Sequence, residues 1–289
     1  MGFPKLRAEN QTNSSRAAFS AVLADQEQGL ALLTEKERVA WHEAVLWYAA
    51  GLSKKDLIFD DSLPQFTTAL ARAGHFKSLK GTGVDLSSSQ VLEKVVPTYL
   101  KAWWPKHQAA NQAWARAMKS LIDRYGATVL AFISNAYRME WPAAGYCVHI
   151  CAYAGWSGAY STKGLLLVVS SLRQENEGTA GLETVFHEGM HQWDDLVFEA
   201  LHQQALRLHT EVPKGLSHSL IFFTAGEAIQ RLFPEYVTAA DKYGVWERGL
   251  TRQKDAIKKI WKPYLDGRGS RDEAFAELIK QLAVELRGN

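Results

Sequence analysis

A chain of 289 residues with 47% hydrophobic and 22% charged side chains can bury a substantial core, as one large unit or as two packed lobes. Its formal charge of +2 is close to neutral, which argues against a nucleic acid or a membrane surface as its partner. No run approaches the ~20 apolar residues of a membrane span, and Met1–Ser15 lacks the apolar centre of a secretory signal. A soluble protein is expected, either cytoplasmic or exported with its leader already removed.

Residues 1–15 read as a flexible tail, rich in Asn, Thr, Ser and charge. Helical spacing starts near Ser15. Thr34, with Glu37 three residues on, forms a capping box for a helix running to Gly51. A shorter helix is expected over Leu63–Ala73, with Pro64 in its first turn. Lys77–Ser89 reads as a loop, after which helix resumes at Gln90. Pro97 and Pro105 should interrupt it, and Gly126 should punctuate the helices on either side. Together, residues 16–140 make a helical N-terminal lobe.

The pattern changes after Trp141-Pro142. Tyr146–Tyr153 and Leu165–Val169 are rich in strand formers and are separated by turn glycines, Gly155, Gly158 and Gly164. Helix returns over Leu182–His209 and about Ser219–Phe233, with two more helices between Ala239 and Leu286. The expected fold class is α+β, mainly α, with a small sheet just before the most informative helix. Residues 141–289 form the second region. Cys147 and Cys151 would lie ~13 Å apart on one strand face, too far for a disulfide, so free, buried thiols are expected.

That informative helix contains His187-Glu188-Gly189-Met190-His191, an HExxH motif. Residues four apart share a helix face, so both imidazoles can reach one metal ion. Glu188 projects beside that ion, where its carboxylate can take a proton from water and later protonate a leaving group. Chance ordering of this composition would give the motif in only ~2% of cases. Between the two histidines the only charged residue is Glu188, and the helix contains no proline. The bland alternative is a pair of buried, hydrogen-bonded histidines.

Thr184–Trp193 resembles the active-site helix of the zincin metallopeptidases. The resemblance covers about ten residues and implies zinc as cofactor, a zincin-like catalytic unit, a peptide or protein as substrate, His187 and His191 as ligands and Glu188 as catalytic base. The metzincin branch requires Gly and His where this chain has Asp194 and Val197, and so it is excluded. The gluzincin branch takes its third ligand from a Glu on a later helix. Glu227 fits best, because Glu199 would lie ~12 Å along the motif helix and Glu211 sits in a loop next to Pro213. Thermolysin-like gluzincins carry an Asp four residues after that Glu. Here Arg231 stands there, so an ordinary Glu227–Arg231 ion pair is the competing reading. Asp195 is a candidate for a carboxylate beside His191, or for a ligand. For the oxyanion, His218 and Tyr160 are both candidates. His218 would point ~180° away from Glu227 if one continuous helix held both, so its role requires the helix to begin at Ser219.

An edge strand within Tyr153–Leu167 would match the strand on which zincins bind extended substrates. The segment has no Glu of the kind that anchors a free amine in gluzincin aminopeptidases, which disfavours that activity. His107, Asn111 and Trp114 form a polar and aromatic stripe that either lines a cleft or covers a helix face. A zinc protein that binds a peptide or partner without cleaving it is the alternative function, and a metal-free helical protein is the third.

Overall fold

The computed structural model describes residues 13–55, 62–73, 78–143, 145–155, 157–162, 166–247 and 250–287. Residues 1–12 of the expected tail, Lys77, Gly164 and Leu165 lie outside the described residues. The chain is mainly helical with a small sheet. Its first half comprises α1 (Asn13–Ala31), α2 (Glu35–Ala50), α3 (Ser62–Ala73), α4 (Leu86–Ala102) and α5 (Trp104–Tyr137). Three strands follow, β1 (Val148–Cys151), β2 (Ala159–Ser161) and β3 (Leu167–Ser170), and then α6 (Gly178–Met190), α7 (Asp194–Arg207) and α8 (Leu216–Gln230). The C-terminal part carries α9 (Ala239–Lys242), α10 (Thr251–Ala256), a π-turn over Ile257–Trp261, α11 (Lys262–Leu265) and α12 (Arg271–Arg287).

Two compact units emerge: Met1–Trp114 with His149–Arg173, and Ala115–Val148 with Gln174–Asn289. The sequence placed the boundary at residue 140. This division into units falls within α5, and most of the sheet groups with the N-terminal helices. The physical reason is packing: Ala154, Tyr160, Leu166 and Val168 form a buried cluster against which Ala71 of α3 and Cys151 pack.

In the first unit, Thr34 caps α2 as its sequence predicts, with the Glu37 carboxylate accepting from the Thr34 amide at 2.7 Å. Asp85 caps α4 by accepting from the Ser88 amide, which starts the helix earlier than Gln90. Pro97 does not break α4, because Val95 and Thr98 are buried on either side and hold the backbone helical despite the missing amide. Trp41 stacks on Trp103 at 4.5 Å. The stripe of His107, Asn111 and Trp114 belongs to the interior of this unit. His107 Nε2 lies 2.8 Å from Asp25 Oδ2, Asn111 accepts from the Ser171 hydroxyl at 2.6 Å, and Trp114 is buried. The sheet order is β1-β3-β2, with β2 antiparallel to β3 and Tyr160 opposite Val168. Both cysteines are free, but Cys147 is exposed and Cys151 half-buried, so neither is a core thiol.

In the second unit, α5 continues through Gly126 without interruption, since one glycine costs a long helix only about 1 kcal/mol. Pro105, in the part of α5 that belongs to the first unit, falls in the first turn of the helix, where no amide partner is lost. Tyr137, Trp246, Trp261 and Phe275 are fully buried, with Trp261 stacked on Phe275 at 5.1 Å. Helix α6 packs on α8, and α7 packs on α12. A Cβ on Gly226 would meet Thr238 Cγ2 at 2.7 Å, so only glycine admits this approach of α8 to the segment before α9.

Glu183, one turn before the motif, is almost fully buried and accepts from the Ala239 amide at 3.0 Å. Burial raises its pKa to about 7, only partly countered by the neighbouring Tyr236 hydroxyl and the Ala239 amide. The folded state therefore holds a proton that the unfolded chain releases at ordinary carboxyl pH, and stability is lost as pH rises from the ordinary range to about 7. Glu183→Gln should be stabilising above pH 7 by up to about 3 kcal/mol and nearly neutral near pH 4. Urea unfolding at the two pH values checks this; equal effects at both would refute it.

Candidate metal centre

The motif helix ends earlier than its sequence pattern suggests. Helix was expected unbroken over Leu182–His209, but α6 stops at Met190 and a 3-10 turn, His191–Trp193, links it to α7. Trp193 is buried in that turn, its ring 5.2 Å from Trp141 and 6.2 Å from Tyr137. Trp141 also presses on the back of the motif, where a Cβ on Gly189 would lie 2.7 Å from its ring. Aromatic packing thus holds the face of α6 opposite the histidines.

The front face carries the polar side chains of the motif. His187 and Glu188 are buried, and His191 is half-buried. The Nε2 atoms of His187 and His191 stand 3.1 Å apart. A third imidazole, His218 on α8, joins them, and one nitrogen of each ring lies within 4.8 Å of the others. His218 is on the solvent-exposed side of the group. Phe222, one turn further along α8, lies against His187 and His218 at 4.1 and 4.7 Å between ring centres.

Which residue joins the motif histidines is decided by where α8 begins. Gly215, with φ of 79°, turns the chain so that the helix starts at Leu216 rather than Ser219. The Ser219 hydroxyl donates to Gln253 Oε1, and Gln253 in turn donates to the Lys214 carbonyl at 2.7 Å, pinning this first turn to α10. With His218 and Glu227 on one continuous helix, nine residues place them about 180° apart. His218 faces the motif. Glu227 faces away, with its carboxylate 2.6 Å from Lys262 Nζ and 3.2 Å from Arg231. The structure therefore brings His218 to the cluster in the position expected of Glu227, and the ion pair with Arg231 is the observed state of Glu227.

The carboxylate beside His191 is Asp194, not Asp195. The 3-10 turn advances the chain by fewer residues per turn than an α-helix. The Asp194 side chain thereby meets His191 Nδ1, at 3.0 and 3.2 Å from its two oxygens. This contact fixes the tautomer: Nδ1–H donates to Asp194, and the Nε2 lone pair is left facing His187. Sequence reasoning missed Asp194 because it assumed unbroken α-helix; the buried Trp193 next to it was the available signal. It also missed Phe222. His187 Nδ1 is buried and has no hydrogen-bond partner among the described residues.

Electrostatics separate the three rings. Burial, then the neighbouring His191 and His218, hold His187 well below the usual histidine range. Burial would lower His191 as well, but the Asp194 hydrogen bond and the Glu188 carboxylate more than offset it, and its pKa is raised. Although one edge of His218 is exposed, the packing around its ring, with His191 adding to the effect, pushes its pKa down to about 4. Two rings are thus neutral donors at pH 7, and the third is drawn towards positive charge by its carboxylate neighbours.

Tyr160 lies on β2 in the other unit, packed among Ala154, Leu166 and Val168, with its hydroxyl pushed up to about 12 by burial. No helix among the described residues is long and apolar enough to cross a membrane. Comparison of the chain with protein-family models, with curated proteins and with solved structures returns no match.

Proposed function

We propose that the chain is a divalent-metal-dependent hydrolase, most simply a zinc peptidase, with His187, His191 and His218 as the ligands and Glu188 as the general base. One observation carries this reading: three imidazoles converge with donor nitrogens within 4.8 Å of one another beside a buried carboxylate. The donor set fits the ion. Tetrahedral zinc at Zn–N of ~2.0–2.1 Å requires its nitrogens to stand about 3.3 Å apart, close to the 3.1 Å between the two Nε2 atoms, and the His218 nitrogen, within 4.8 Å of the others, would draw in towards the ion. Three imidazoles with one open side match a catalytic zinc site rather than a closed structural one.

When bound, the ion supplies Lewis acidity, which polarises a carbonyl and lowers the pKa of water towards ~7. The chain's own groups do the rest. Glu188 accepts the proton of the attacking water and returns it to the leaving nitrogen, so the carboxylate is regenerated in each cycle. Asp194 holds His191 in the tautomer that presents Nε2. Phe222 packs against two of the imidazoles and limits their rotation. As a ligand, His218 would face the ion and would not be free to steady the oxyanion.

Protein prepared in the presence of zinc should retain one equivalent after dialysis and should hydrolyse peptides from a mixed library. Chelation should abolish both properties, and zinc should restore them. A metal-free protein under these conditions would sink the proposal. Zinc retained without any hydrolysis would instead support a binding protein.

A further inference from the structure

The side of α8 turned away from the histidines borders a second feature that the proposed reaction does not use. A cavity of about 550 Å³ opens there within the second unit, inside the ~300–1,000 Å³ range of small-molecule sites. Phe223, Pro234 and Trp246 give it apolar walls, and Arg231, Lys258 and Lys262 give it cationic ones. The two lysines lie four residues apart across the π-turn, whose closing bond runs from the Lys262 amide to the Ile257 carbonyl. Such turns are rare and are found disproportionately at functional sites.

The charges facing this cavity do not cancel. Its lining carries three cations against two carboxylates, Glu227 and Asp241. Asp266 also pairs with Arg231, and Lys254 pairs with Asp241 at 2.6 Å, so one positive charge remains in excess. Glu227 already holds Lys262 and Arg231, and a ligand with a single carboxylate would offer those cations no more than they have. A dianion would. Phosphate also matches the fork of an arginine and the point charges of lysines.

We propose that this cavity binds a small phosphorylated organic molecule, with the phosphate on Arg231, Lys258 and Lys262 and the apolar body against Phe223 and Pro234. The proposal is independent of the metal centre. Phenyl phosphate is the probe, titrated calorimetrically into the full chain. Saturable binding below about 1 mM is expected, weakened at least tenfold in Lys258→Gln/Lys262→Gln and unchanged in His218→Ala. Lys258→Gln alone, at an exposed side chain, should weaken binding measurably and keeps the test valid if the double variant unfolds. Absence of saturation up to about 10 mM, equal binding in the lysine variants, or benzoate binding as tightly would each overturn the proposal. Loss of binding in His218→Ala would likewise overturn it, by locating the phosphate at the histidines.

Discussion

His218→Ala should weaken zinc binding by more than about 100-fold, since losing a ligand must exceed the ~10–100-fold cost of losing an outer partner. Glu227→Gln should leave zinc affinity within about twofold, because its side chain points about 180° away from the cluster. The contrast rests on the start of one helix. Gly215 sets α8 to begin at Leu216, and the Ser219–Gln253 hydrogen bond holds that turn in place. The Glu227 variant should instead show a small loss of stability, on the order of 1 kcal/mol. Its partners Arg231 and Lys262 are 37% and 42% exposed, so water can solvate them once the carboxylate is gone. Competition with a colorimetric chelator measures both affinities. Equal zinc loss in the two variants, or greater loss in Glu227→Gln, would reverse the assignment of the third ligand.

The second large effect concerns turnover. Glu188→Gln keeps the size and the buried position of the side chain but removes its proton-accepting capacity, and hydrolysis should fall by about 10²–10⁴-fold. Zinc should remain bound, because the three imidazoles are untouched. Glu188 is also one of the groups that raise the pKa of His191. A variant that hydrolyses peptide at the wild-type rate would remove Glu188 from the mechanism. One that loses zinc would show that its role is to hold the site together.

Local pattern carried much of this site, and the limits of local pattern explain the rest. His187, Glu188 and His191 lie within little more than one helical turn, so their shared face follows from helix geometry alone. The capping box at Thr34 and Glu37 was legible for the same reason. His218 and Glu227 differ in that their orientation depends on a helix start that Gly215 and the distant Gln253 determine, and no local periodicity reports that contact. The geometric test that excludes their acting together was nonetheless available from the spacing. Glu227 was favoured because the resemblance to gluzincins pointed to a glutamate, whereas His218 is the side chain that faces the motif histidines. Asp194 was hidden by the 3-10 turn, which follows from burying Trp193 against Trp141 and Tyr137 rather than from any helix-breaking residue. The unit boundary within α5 was likewise invisible, since a long uninterrupted helix gives no linker signal.

The most direct measurement of the central claim is anomalous diffraction at the zinc absorption edge from crystals of the zinc-loaded protein. One strong peak is expected within coordination distance of a ring nitrogen of each of His187, His191 and His218, with Glu188 beside it. A peak whose ligands include Glu227, or a cluster of three rings bonded only to protein groups with the metal elsewhere, would contradict it.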